Sequence, residues 1–212
     1  MTMLTVHHLR ISQSERIVWL CEELGLDYEL KLYSRREDNR LAPDEYKALH
    51  PMGIAPVIKD GDLILGESGA IIEYLVTKYG AGKLVPSPDS PDFPTHLFWF
   101  HHANGTFMTN GMMVLAAKAT GADEIPDFVA GRGAKSWMMI EQHLGQQPWF
   151  GGQAFSTADI MMGFGLTTGR MFGGPDMADF PNLRGWLQRV GEREAYQRAM
   201  AKAEPGMPPM LG

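Results

Sequence analysis

The chain has one cysteine, Cys21, in 212 residues. A lone thiol closes no internal disulfide, which fits a reducing, cytoplasmic compartment. With no Cys-x-x-Cys pair, dithiol redox chemistry is not expected. Runs of lysine and arginine are also missing, and the net charge is -6, so the electrostatic footprint of a nucleic-acid binder is absent. No stretch of about 18 uninterrupted apolar residues occurs, so no membrane-spanning helix is expected. Met1-Thr2-Met3-Leu4 is not a basic segment followed by an apolar one, and it does not read as a signal peptide. The His101-His102 pair lacks further ligands at metal spacing, and no metal is expected. No internal repeat is visible.

Hydrophobic residues make up 44% of the chain and charged residues 21%, which is ordinary globular usage and implies a packed core. From Leu4 to Gly80 two periodicities alternate. Leu4-Thr5-Val6-His7-His8-Leu9 alternates loosely, as a strand does. Ser12-Gln13-Ser14-Glu15 matches the capping box that opens a helix. Ile17, Val18, Leu20, Cys21 and Leu24 then recur at helical spacing up to a stop at Gly25. Tyr28 to Tyr33 alternates as a second strand, and Pro43 to Leu49 reads as a short helix. Two short apolar runs, Pro56 to Ile58 and Leu63 to Leu65, flank Asp60-Gly61, a strong hairpin signal. Glu67 to Tyr79 is helical and ends at Gly80. The order βαβ, α, ββ, α predicts a mixed sheet with helices packed on it, an α+β domain.

Residues 81–94 hold Pro86, Pro88, Pro91 and Pro94 and read as a linker. Beyond it no convincing strand is found. Thr95 to Ala119 and Asp127 to Gln147 are long helical candidates. Ser156-Thr157-Ala158-Asp159 is a second capping box, with Phe155 and Ile160 at the positions of a hydrophobic staple. Phe180-Pro181-Asn182-Leu183 opens another helix, Glu192 to Lys202 continues helical, and the tail from Pro205 is irregular. The expected division is 1–82, a linker at 83–94, and an all-α domain at 95–212.

Four patterns, taken in order, resemble the soluble glutathione transferases. Ser12-Gln13 follows the first strand, with Arg16 one turn into the helix, and is similar to the serine-type members. His50-Pro51-Met52-Gly53-Ile54-Ala55-Pro56-Val57-Ile58 resembles the family's cis-proline segment. Gly66-Glu67-Ser68-Gly69-Ala70-Ile71 resembles its glutamyl-binding turn. Phe155 to Ile160 resembles the buried capping box of its helical domain. The likeness extends to about residue 200 and is greatest to bacterial and fungal members that begin His-His-Leu. It implies a four-stranded thioredoxin-like domain at 1–82 that binds glutathione as co-substrate, a helical domain that shapes the site of a second substrate, and a homodimer acting in detoxification.

It also implies roles. A free thiol ionises near pH 8.5, and lowering this by ~2 units needs about 2.7 kcal/mol of selective stabilisation. One hydrogen bond to a charged group supplies ~1.5–3 kcal/mol, and a helix N-terminus about 0.3–1. One hydroxyl at the start of the first helix suffices. Ser12 is that donor, with Ser14 as fallback, and neither nucleophile nor base is needed; alternatively Ser12 only caps the helix with Glu15. A cis Ala55-Pro56 bond would turn the Ala55 backbone toward glutathione's cysteinyl backbone. Ser68 and the helix N-terminus would hold the γ-glutamyl carboxylate and Glu67 its ammonium; alternatively these only start a helix. Ile54 departs from the family, which has Lys or Gln there for the glycyl end, leaving that contact to Arg40 or His50. No tyrosine ends the first strand, where His8 sits instead, and this argues against a tyrosine-type mechanism. Cys21 lies on an apolar helix face, as buried structural thiols do.

Leu97, His101, Asn104 and Met108 share one helical stripe. His101, Asn104 and Met108 are candidates for the second-substrate pocket, or structural groups. The chain has fifteen methionines, of which Met108, Met112, Met113, Met161, Met162 and Met171 would line an adaptable apolar pocket or fill core. Three functions remain open: conjugation of glutathione to an apolar electrophile, a glutathione-dependent peroxidase or thiol reductase, and a non-catalytic binding module.

Overall fold

The computed structural model describes residues 3–212; Met1 and Thr2, on which the reading of the N-terminus drew, lie outside the described residues. In the N-terminal part, β1 (Leu4–Leu9), α1 (Glu15–Leu24), β2 (Tyr28–Tyr33), α2 (Asp44–Lys47), β3 (Val57–Asp60), β4 (Leu63–Gly66) and α3 (Ser68–Lys78) follow one another. The sheet runs β2-β1-β3-β4. β1 pairs with β2 in parallel, Leu4 opposite Tyr28, and with β3 antiparallel, His7 opposite Val57. This is the thioredoxin-like, mixed four-stranded arrangement. β1 is buried at every position because it lies inside the sheet and is covered on both faces, which is why its alternation is loose. The hairpin closes with Asp60 opposite Leu63 and Gly61 at φ 63°, a left-handed turn position that suits glycine.

α1 ends as expected, with Gly25 left-handed and its N–H on the Cys21 and Glu22 carbonyls. Its start differs from expectation. Ser14 is the N-cap and makes no side-chain cap. The first N–H groups go instead to loop carbonyls: Glu15 to Ser12, Arg16 to Gln13 and Ile17 to Ser14, at 3.2, 3.2 and 3.0 Å. A tightened first turn satisfies these donors with backbone, so the Ser12–Glu15 box does not form.

The helical part contains α4 (Phe93–His102), α5 (Thr109–Ala119), α6 (Asp127–Leu144), α7 (Thr157–Leu166), α8 (Pro181–Gly191) and α9 (Glu194–Ala203). The single helix expected over 95–119 is interrupted by a π-helical turn, Ala103–Met108. Its wider i→i+5 spacing breaks the 3.6-residue register, so the stripe from Leu97 to Met108 is not continuous. α7 is buried at every position. Met161 and Met162 belong to this core, whereas Met112 and Met171 are exposed. Here the second capping box forms as expected: Ser156 accepts from the Ala158 N–H, and Asp159 reaches back to the Ser156 N–H.

The chain forms two compact units, one up to Leu84 together with Val190–Met210, the other Val85–Arg189 with Leu211–Gly212. α9 therefore clusters with the sheet unit, although it follows the helical elements in sequence. Its buried face (Ala195, Tyr196, Ala199, Met200, Ala203) packs on α1, with Tyr196 edge-on to Trp19 at 4.8 Å between ring centres. Arg193 grips Glu23 with two hydrogen bonds, and Arg198 meets Glu22. Among the described residues no helix is long and apolar enough to cross a membrane.

Candidate functional site

The loop from β1 to α1 carries the serines. Both are buried. The Ser12 hydroxyl lies 2.7 Å from the Leu9 carbonyl and 2.7 Å from Ser14 Oγ, and it accepts the Ser14 N–H. Ser14 Oγ accepts the Leu9 N–H at 3.1 Å and lies 2.8 Å from His8 Nδ1. Ser12 is thus free of capping duty; the two hydroxyls share the Leu9 carbonyl and each other, and Ser14 also reaches His8.

The loop is held in a strained shape. Ile11 has φ 54°, an outlier for a β-branched residue. Its N–H goes to Glu204, the C-cap of α9, and its carbonyl accepts from Arg35 Nη2 at 2.8 Å. Arg35 also binds the carbonyls of Arg10 and Arg40. Strain held in place by surrounding bonds is characteristic of functional sites.

At the head of α3 the Ser68 side chain is buried, and Arg16 Nη1 donates to it at 3.4 Å and to Gln13 at 2.6 Å. Arg16 thereby joins the serine loop to the start of α3. Burial lowers the Arg16 pKa to about 9, with Glu15 opposing, so the guanidinium stays charged at neutrality. Glu67 is exposed and sits at φ 68°, a second left-handed residue that is not glycine. The Ala55-Pro56 bond is cis, and Pro56 leads into β3. His50 comes against β4: a Cβ on Gly66 would meet its ring at 3.4 Å. Its Nδ1 accepts the Met52 N–H, which puts the proton of the neutral ring on Nε2.

The expected residues do not all gather. Ile54 is exposed and offers only an apolar surface. Arg40 is exposed, left-handed at φ 62°, and tied to the loop through its carbonyl rather than its side chain. In the helical unit His101 is exposed in the last turn of α4, while Asn104 and Met108 are half-buried in the π turn. Met108 packs toward α7, where a Cβ on Gly165 would lie 3.0 Å from its sulfur. Cys21 is buried, and burial with Glu22 pushes its thiol pKa far up, so it carries no reactive thiolate. Among the described residues no group of three or more His, Cys, Asp or Glu gathers as metal ligands.

Sequence reasoning missed Glu204 and Arg35. A signal for Glu204 existed: a carboxylate at a helix C-terminus opposes the helix dipole, so its place there calls for a partner.

Residues 12–78 match the family model for the glutathione S-transferase N-terminal domain, and residues 107–194 that for the C-terminal domain. The chain is 30% identical to glutathione S-transferase 3 of Schizosaccharomyces pombe, over 95% of this chain and 88% of that protein. Among solved structures it is similar to a glutathione S-transferase of Actinobacillus pleuropneumoniae, with 34% identity, 95% and 93% of the two chains covered, and a TM-score of 0.85. It is also similar to the theta class enzyme of Xanthomonas axonopodis pv. citri with glutathione bound, with 27% identity, 94% and 97% covered, and a TM-score of 0.68. Two domain models in the right order, on a thioredoxin-like sheet followed by helices, place this chain in the glutathione S-transferase family.

Proposed function

We propose that this protein is a glutathione transferase that binds glutathione, stabilises its thiolate through the Ser12 hydroxyl and transfers it to an apolar electrophile. The observation that carries this reading is the state of Ser12. Its side chain is not spent on the helix start, and it sits buried beside a second hydroxyl at the end of β1. An O–H donor turned toward sulfur contributes ~1.5–3 kcal/mol to the charged form, equivalent to about one to two pKa units. The cis Ala55-Pro56 turn presents the Ala55 backbone to the cysteinyl part. Ser68, with Arg16 behind it, and the N–H groups at the head of α3 take the γ-glutamyl carboxylate, and Glu67 its ammonium. Where Ile54 offers nothing, the His50 Nε2–H meets the glycyl carboxylate, with Arg40 as the alternative cation. His101, Asn104 and Met108 contribute to the second-substrate pocket. No metal takes part in this reading. A homodimer working in the cytoplasm in detoxification is the setting.

The test is the ultraviolet absorbance of bound glutathione thiolate followed against pH. The thiolate should persist well below the pKa of free glutathione and be lost in Ser12→Ala together with turnover. Unshifted ionisation, or full turnover in Ser12→Ala, would leave a non-catalytic module or a different donor as the reading.

A further inference from the structure

The serine pair does not stand alone. Behind Ser14 lies His8, and behind His8 lies Glu204. The contacts run Ser12 Oγ to Ser14 Oγ at 2.7 Å, Ser14 Oγ to His8 Nδ1 at 2.8 Å, and His8 Nε2 to Glu204 Oε1 at 3.1 Å. The imidazole and the carboxylate have no exposed side-chain surface. Glu204 also accepts from Arg10 Nε at 3.0 Å and from the Ile11 N–H. Burial opposes its ionisation, but the bonds from His8, Ile11 and Arg10 win and hold its pKa below the usual carboxylate range. A charged Glu204 fixes the proton of neutral His8 on Nε2, leaving Nδ1 as an acceptor for the Ser14 hydroxyl.

We propose that His8, paired with Glu204, takes the proton released when glutathione ionises, through the hydroxyls of Ser14 and Ser12. This rests on Ser12 being the group that meets the thiol. In the resting chain Ser14 O–H donates to His8 Nδ1. For the relay, Ser12 O–H turns from the Leu9 carbonyl, equally near, to Ser14 Oγ. The thiol S–H bond breaks and its proton passes to Ser12 Oγ. The Ser12 proton passes to Ser14 Oγ, and the Ser14 proton to His8 Nδ1. Each serine keeps one proton, sulfur keeps the electron pair, and no oxidant or further reactant is needed. The product is a thiolate accepting from Ser12 O–H, with every donor in the chain aligned toward sulfur and an imidazolium donating to Glu204. Aligned hydrogen bonds reinforce one another in a buried setting. Glu204 is the charged group on His8, and Glu204 in turn meets Arg10 and interacts electrostatically with Arg35. His8 and Glu204 touch neither thiol nor electrophile; they are positioning residues that act through the serines.

The experiment pairs two readouts on glutathione binding near neutral pH: thiolate absorbance, and proton release by calorimetry in buffers of different ionisation enthalpy. In the native protein the thiolate band should appear without a matching proton released. Ser14→Ala cuts the chain while keeping His8 and Ser12. It should release a full proton for each thiolate formed and raise the thiolate pKa by about one unit. His8→Asn should do the same. Nitrogen NMR of the His8 ring in the native protein needs no variant: Nδ1 should change from acceptor to N–H on glutathione binding. A thiolate band with full proton release and an unchanged Nδ1 would overturn the relay and leave the Ser12 reading intact. No thiolate band in the native protein would overturn both.

Discussion

Two stretches of this chain carry the same helix-opening pattern, a serine followed three residues later by an acid. In Ser156-Thr157-Ala158-Asp159 the pattern does what it predicts. Asp159 accepts from Ser156 N–H at 3.0 Å, Phe150 N–H at 2.9 Å and Trp186 Nε1–H at 2.9 Å, and Ser156 Oγ also lies 3.1 Å from His96 Nδ1. In Ser12-Gln13-Ser14-Glu15 the serine turns away, and backbone carbonyls serve the first turn instead. The same pattern caps a helix in one place and leaves its serine off the helix start in the other. The difference lies in the neighbours: Asp159 is surrounded by donors that need an acceptor, whereas Ser12 has the Leu9 carbonyl and the Ser14 hydroxyl in reach.

The largest break comes at Asp159. Asp159→Ala leaves three buried donors without an acceptor, at ~1–3 kcal/mol each, partly offset because a buried carboxyl is removed. A loss of about 3–5 kcal/mol in urea unfolding is expected. A loss below about 1 kcal/mol would mean that the box is dispensable.

His96 gives the next effect, through pH. Burial, aided by His101, lowers its pKa from 6.5 to about 4. The unfolded chain then binds the proton more readily than the folded one, so stability is fully present above pH 6.5 and is lost as pH falls toward 4. At 1.36 kcal/mol per unit this amounts to about 3 kcal/mol. Asp159 works against it. Burial outweighs its hydrogen bonds and raises its pKa from 3.8 to about 6, so its contribution is present below pH 3.8 and lost as pH rises through 6. His96→Gln keeps a polar group near Ser156 without the titration. Its stability should fall less than that of the native chain between pH 6.5 and 4. Parallel pH curves for the two proteins would remove His96 from the account.

Much of this was legible in the sequence. The strands, the hairpin at Gly61, the stop at Gly25 and the second capping box followed from periodicity and turn chemistry. The likeness to a family added the cis Ala55-Pro56 bond, which periodicity cannot supply. What escaped was tertiary. No local pattern says that the Leu9 carbonyl will draw the Ser12 hydroxyl, or that Glu204 will fold back onto His8 from far along the chain. The π turn at Ala103–Met108 escaped because a helical stripe is counted at 3.6 residues per turn, although Asn104, Gly105 and Thr106 are weak helix formers. α9 reads as one more amphipathic helix, and that its apolar face packs on α1, with Arg193 and Arg198 meeting Glu23 and Glu22, is a tertiary fact.

The smallest expected effects give the sharpest comparison, because they pit the two serines directly against each other. Ser156→Ala removes an N-cap that the helix uses and should cost about 1–2 kcal/mol. Ser12→Ala removes no cap. It loses a bond to the Leu9 carbonyl and one from the Ser14 N–H, while the α1 donors keep their backbone acceptors. Ser14 Oγ lies 3.3 Å from the Leu9 carbonyl and can serve it only by turning its proton from His8. A cost of about 1 kcal/mol or less follows, and urea midpoints of the two variants measured side by side would rank them. If Ser12→Ala proves as costly as Ser156→Ala, Ser12 belongs to the scaffold and the two patterns are alike after all. If it unfolds almost as the native chain does yet fails to lower the pKa of bound glutathione, the hydroxyl serves sulfur rather than the fold.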